Sequence, residues 1–101
     1  MPRLHYSERS RADVDTFWEY IAADRPRFAA AVLEHLHEKI KRLRTQPLVG
    51  HRHHELQHDV RCLNCDGYLI LYRYSANLVR VDRIIHHSLN LSEPEGLDLT
   101  L

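Results

Sequence analysis

The chain contains no uninterrupted apolar run near the roughly 18 residues that a membrane span requires. Its opening residues, Met1-Pro2-Arg3-Leu4-His5-Tyr6, carry none of the apolar core of a secretory leader. Both absences point to a cytoplasmic protein. Cysteine is scarce, with only Cys62 and Cys65, and in a reducing compartment these are expected to stay thiols, so the fold must stand without a disulfide frame. Charge of one sign is also missing. Fourteen Lys and Arg balance fourteen Asp and Glu, which argues against a dedicated nucleic-acid binder, because such affinity normally rests on a basic surface. Neither a repeat nor a low-complexity stretch is visible. What remains is 101 residues, 44% hydrophobic and 28% charged, the composition of one globular domain with no room for a second core.

Charge is nevertheless segregated along the chain. Lys39, Lys41, Arg42, Arg44, Arg52 and Arg61 face only Glu55 and Asp59 in their stretch, whereas Glu93, Glu95 and Asp98 make residues 92–101 an acidic tail. Nine histidines would turn the net charge positive in mild acid.

The local patterns define elements. Arg3 to Tyr6 reads as a short extended segment, and Ser7 offers an N-cap hydroxyl to a helix over about residues 8–23, with Val14, Phe17, Trp18 and Ile21 at helical spacing. Arg25-Pro26 ends it and starts a second helix, since proline suits a first turn. Phe28, Val32, Leu36, Ile40 and Leu43 form its apolar stripe until Pro47 and Gly50 stop it. Two helices joined by so short a turn fold back on each other. Their apolar face needs a cover. Val60–Leu63, Tyr68–Tyr74 and Leu78–His87 are β-rich runs, the last two separated by Ser75-Ala76-Asn77, where Asn tolerates positive φ. The expectation is an α+β domain: an N-terminal strand and an antiparallel helical hairpin packed on a small antiparallel β-sheet.

Six pieces of the sequence, in order, resemble ParE-type toxins of bacterial type II toxin-antitoxin operons, within the wider RelE/ParE superfamily. They are Tyr6-Ser7 through Pro26, with Asp13-Val14, Trp18 and Tyr20-Ile21-Ala22; the loop with Pro47, Gly50, Arg52 and Glu55-Leu56; Val60-Arg61; Gly67-Tyr68; Ile70 with Tyr72-Arg73; and Arg83-Ile84-Ile85-His86. The resemblance implies a toxin domain over residues 1–91, followed by the acidic tail 92–101. It implies a non-enzymatic inhibitor that binds DNA gyrase, needs no cofactor or metal, and does not itself bind specific DNA or a membrane. A cognate ParD-like antitoxin, with a DNA-binding N-terminal region and a C-terminal segment that folds around the toxin, would neutralise it. Monomer and homodimer both stay open.

The superfamily also contains RelE-like ribosome-dependent mRNA endoribonucleases. Strand cleavage by a ribose 2′-hydroxyl needs a base, an acid and cations on the phosphate. RelE-like members usually place Arg after the Gly-Tyr of the central strand, where this chain has Leu69. The basic segment they carry before the first meander strand is here His51, Arg52, His53, His54 and His58. In the nuclease alternative, Arg61, Arg83 and His86 would be catalytic, with His86 opening onto the same cleft as Arg61. In the inhibitor reading, Arg61, Arg73, Arg83 and His86 are the target-binding candidates. A plainer reading pairs these arginines with Asp59, Asp82 or Glu55 across the sheet. Trp18 and the β-run face of Tyr68, Ile70, Tyr72 and Tyr74 are the antitoxin-binding candidates, the tyrosine row being expected half-exposed, although Phe17, Trp18 and Phe28 also suit a core. Cys62-x-x-Cys65 beside the histidines is half of many zinc sites, but the second half is missing. A degenerate member kept only to bind antitoxin is a further alternative.

Overall fold

Ser7 has extended backbone, and its hydroxyl oxygen accepts the Ser10 amide proton at 3.0 Å while donating to the Asp82 carbonyl at 2.8 Å. One side chain therefore caps a helix and fastens it to the last strand. In the computed structural model, which describes residues 1–52, 56, 57 and 59–86, β1 (Arg3–Tyr6) leads through this cap into α1 (Glu8–Ala22). A turn over residues 23–25 leads to α2 (Pro26–Arg42), with Pro26 in its first turn and Lys39, Lys41 and Arg42 in its last. Those cations sit where the helix dipole favours them. Then follow β2 (His51–Arg52), β3 (Arg61–Cys65), β4 (Tyr68–Ser75) and β5 (Leu78–His86).

The α+β class is as expected, but the sheet is larger and mixed. Its five strands run in the order β1-β5-β4-β3-β2, and β1 lies parallel to β5, with Tyr6 opposite Val81. β2 was not foreseen; two residues with exposed polar side chains carry no period that could announce a strand. The β3–β4 and β4–β5 turns are two-residue connections. Asp66 and Gly67 take φ of 49° and 83°, Ala76 and Asn77 take 51° and 59°, and Cys65 faces Tyr68 as Ser75 faces Leu78. Positive φ at both central positions gives the twist that hairpins favour.

Along β5 the alternation changes face. Leu71 faces Arg83 and Tyr72 faces Val81, so Asp82 is an extra residue, a bulge. It explains why Arg83 interrupts the apolar period of Val79 and Val81. On the helix-covered face, Phe17, Val32, Leu36 and Ile40 pack against Cys65, Tyr68, Ile70, Val81 and Ile84. Val60, Cys62, Leu69, Leu71 and Ile85 form a second cluster on the other face. Tyr68 to Tyr72 are consequently buried without a break.

Two stripe positions differ from expectation. Trp18 and Phe28 are 39% and 45% exposed; Ala29 takes the core place beside Val32, and Phe28 instead lies under the Arg25 guanidinium at 4.3 Å. The acidic tail and His53, His54, His58 and His87 lie outside the described residues.

Candidate functional site

The three candidate arginines, Arg61, Arg73 and Arg83, are all engaged by their own chain. On β4, Arg73 donates from Nε to Asp82 Oδ2 at 2.8 Å and from Nη2 to Gln57 Oε1 at 3.0 Å, with Asp59 3.6 Å from Nη1. This is the cross-sheet pairing that the plainer reading anticipated for Asp59 and Asp82. Arg83 does something else. β1 stops at Tyr6, and beyond that point α1 closes the edge of β5: Asp13 accepts two hydrogen bonds from Arg83, at 2.8 and 2.9 Å, and the Ile84 amide proton at 2.9 Å. Asp13 stands next to Val14 in the helical stripe. That position was legible, but its partner, 70 residues away, was not. Arg61 at the start of β3 donates from Nη1 to the carbonyls of Gly50 at 3.0 Å and Leu48 at 3.2 Å.

His86 and Arg61 do not share a cleft. Arg61 stands opposite Tyr72 and His86 opposite Tyr68, on strands that flank β4. Four residues along a strand and two strand spacings across put their backbones about 13 Å apart in one direction and about 10 Å in the other. Sequence reasoning had put both on one cleft, although the antiparallel meander it expected already sets the start of β3 and the end of β5 at opposite ends of the sheet. The His86 ring instead packs edge-on against Tyr68 at 5.4 Å.

The tyrosine row does share one face of β4, but it is the face under the helices. Ile70 and Tyr72 are fully buried, Tyr68 is nearly so, and only Tyr74 toward the strand end is partly open. The expected half-exposure fails because a helical hairpin occupies that side. Tyr72 is held on both sides of its hydroxyl, which accepts the Gly50 amide proton at 2.8 Å and donates to the Pro47 carbonyl at 2.9 Å. Burial raises its pKa. A Cβ on Gly50 would stand 2.6 Å from the Tyr72 ring, so the glycine of this loop is a requirement of close approach.

The cysteines point to opposite faces, Cys62 into the outer cluster and Cys65 into the helix-side core. Three residues apart on a strand, they cannot offer two sulfurs to one metal. Burial pushes both thiols up in pKa, and Asp66 adds to this at Cys65.

Two apolar grooves open beside the helical hairpin, and a smaller polar one lies between α2 and the β3–β4 turn, lined by His35, Glu38, Lys39, Arg42 and Asp66. One, of about 620 Å³, runs between α1 and the ends of β4 and β5, lined by Phe17, Tyr20, Ile21, Tyr68, Ile84 and His86. A second, of about 470 Å³, has Trp18, Ala30 and Leu33 in its floor with Glu34, His37 and Lys41 at the rim. Tyr20 is 85% exposed. Sequence reasoning passed over it as a functional residue, and the available signal was an aromatic off the apolar stripe of α1. Among the described residues no helix is long and apolar enough to cross a membrane.

The family model for the ParE toxin of the type II toxin-antitoxin system parDE matches residues 4–91. Among solved structures, a chain of the chromosomal ParDE toxin-antitoxin system from P. aeruginosa superposes with a TM-score of 0.74 at 19% identity, over 85% of this chain and 96% of that one. No curated protein sequence matches.

Proposed function

Because the chain belongs to the ParE toxin family of type II toxin-antitoxin systems, we propose that it acts by docking: it inhibits DNA gyrase through protein contact and is held in check by a ParD-like antitoxin. The observation that carries this reading is the engagement of Arg61, Arg73 and Arg83 by carbonyls and carboxylates of their own chain. A guanidinium already bidentate to a carboxylate must give up charge-assisted hydrogen bonds before it can hold a phosphate. Cleavage also needs acid, base and cation within reach of one phosphodiester, and the separation of His86 from Arg61 speaks against that. Zero net charge removes long-range attraction to RNA as well.

The antitoxin has two apolar grooves to fill. An amphipathic segment laid over Trp18 and Leu33, or over Tyr20 and Phe17, would bury exposed aromatic surface, the usual source of affinity in such contacts. Of the antitoxin-binding candidates, Trp18 keeps that role. Tyr68 borders the groove of Phe17 and Tyr20, whereas Ile70 and Tyr72 are buried and support the fold. Gyrase contact by Arg61, Arg73 or Arg83 would be made by their outer edges, since guanidinium N–H groups of each are engaged by their own chain, whereas His86 is exposed at the end of β5.

The test is purified protein titrated into a gyrase supercoiling reaction, with translating ribosomes and messenger RNA in parallel. Loss of supercoiling with accumulation of cleaved gyrase-DNA complexes is expected, and His86→Ala should change it little. Cleaved transcripts, with a loss of about 100-fold or more in His86→Ala, the typical weight of an acid or base, would establish the ribonuclease instead.

A further inference from the structure

The loop that joins α2 to β2 is held more firmly than an exposed connection requires. The Pro47 carbonyl accepts from the Tyr72 hydroxyl, which itself accepts the Gly50 amide proton. Arg61 Nη1 donates to the carbonyls of Leu48 and Gly50, and the Val49 amide donates to the Gln46 carbonyl at 3.2 Å. Each residue from Pro47 to Gly50 is thus tied through its backbone, and Tyr72, the main anchor, is fully buried. The side chains that this framework presents are Leu48 and Val49, 60% and 48% exposed. Single apolar residues on a surface are ordinary. Two adjacent aliphatic side chains on a loop fixed by a buried tyrosine and an arginine form a preorganised contact, because little backbone freedom is left to lose on binding.

The charge around this loop is of one sign. Residues 39–52 contain no Asp or Glu. Arg44 and Arg52 are exposed, and Arg52 stands opposite Arg61 across the β2–β3 pair, a placement of like charges that costs a sheet stability. The acceptors of Arg44 and Arg61 are the neutral carbonyls of Pro2, Leu48 and Gly50. Among the described residues, no carboxylate hydrogen-bonds Arg44, Arg52 or Arg61. The loop is also separate from the two apolar grooves, since no residue of 44–52 lines either of them.

We propose that Pro47–Gly50 is a rigid contact knob: Leu48 and Val49 enter an apolar pocket of the target protein, and Arg44, Arg52 and Arg61 meet an acidic rim around that pocket. This rests on the reading that the chain acts by docking, and adds to it the surface used and the chemistry of the partner. An anionic membrane would also attract arginines around an apolar tip. Leu48 and Val49 together, however, carry fewer carbons than one myristoyl chain, whose hold on a bilayer is already marginal. A protein pocket can desolvate both side chains fully, which is where contact energy concentrates.

The full-length chain and its double variant Leu48→Ser/Val49→Ser are induced in bacteria while growth is followed, and the purified proteins are titrated into a gyrase supercoiling reaction. Because both side chains are exposed, the variant should melt with the wild type. It should need about tenfold or more protein for half-inhibition, the weight of a contact hot spot, and should arrest growth correspondingly less. Arg52→Glu should lose several-fold, a loss that narrows as salt rises, as expected of a rim charge. Should the serine pair lower the melting temperature, the single variant Leu48→Asp decides, since it sets a carboxylate against the acidic rim and should lose at least as much. If growth arrest depends on Leu48 and Val49 while the wild type leaves supercoiling untouched, the knob stands and its target is a protein other than gyrase. If the wild type inhibits gyrase and a variant of unchanged melting temperature inhibits it equally, the knob falls and the gyrase reading survives. A wild type that neither arrests growth nor inhibits gyrase overturns both. Flotation with phosphatidylglycerol vesicles runs in parallel, and wild-type binding that the serine pair loses would replace the protein pocket with a bilayer.

Discussion

Asp82 is the residue on which the most depends. It is 1% exposed, one carboxylate oxygen is paired with Arg73, and the other, Oδ1, has no hydrogen-bond partner among the described residues. Burial raises its pKa above the usual carboxylate value, against the opposing pull of the Arg73 guanidinium. The folded chain therefore holds this proton at pH values where the unfolded chain has lost it, so the stability linked to the group is present below the unfolded pKa and is lost as pH rises through the folded one. In Asp82→Asn the charge is gone. Denaturant midpoints of wild type and variant, followed upward from the acid range, should show the wild type losing ground to the variant across that window. A difference that grows in favour of the wild type with pH would mean that the Arg73 pair outweighs burial. Tyr72 carries a different kind of weight. Replacing it with Phe leaves the Gly50 amide and the Pro47 carbonyl without their shared partner, and chemical denaturation should report a loss of about 1–3 kcal/mol, the cost of unsatisfied buried groups.

At the scale of elements, the helices were the most legible part, because capping and the 3.6-residue period act locally. Ser7, Pro26 and the Val32, Leu36, Ile40 stripe occupy the roles their positions announce. The existence of β1, β3, β4 and β5 was legible too, as was the antiparallel run of the last three, but not the short β2 or the covered face. The parallel pairing of β1 with β5 and the side on which the hairpin settles depend on contacts between residues 75 apart, which no local pattern encodes. The Asp82 bulge was visible only as an irregularity at Arg83. The candidate site suffered most from this, since the tyrosine row needed a free face, while the Arg61–His86 cleft conflicted with the expected antiparallel order itself, which parts the two residues. One turn offers a check. Ala76 sits at φ 51°, a region that costs an L residue with a Cβ and suits glycine. Ala76→Gly in the β4–β5 hairpin should therefore hold or raise the melting temperature, by about 0.5–1 kcal/mol in stability once the glycine's extra unfolded-state entropy is set against the relieved strain. A clear drop would mean that the Ala76 methyl group contributes packing that its exposure does not suggest.

For the molecule as a whole, the edge strand β1 binds the beginning of the chain to its end. Arg3 is opposite Leu78 and Tyr6 opposite Val81, and the Ser7 hydroxyl and Asp13 carboxylate extend the same seam to Asp82 and Ile84. During synthesis, residues 3–13 leave the ribosome long before anything they pair with exists. At about 5–20 residues per second, the wait for β5 lasts roughly 4–15 seconds. Within that interval, from the completion of α2 at Arg42 until β3 and β4 follow, the helical hairpin has no sheet to rest on, and its aliphatic stripe is open to any amphipathic neighbour. Maturation of this chain is thus tied to completion of translation: truncated nascent products lack the closing strand, and with it the partner of both β1 and β4.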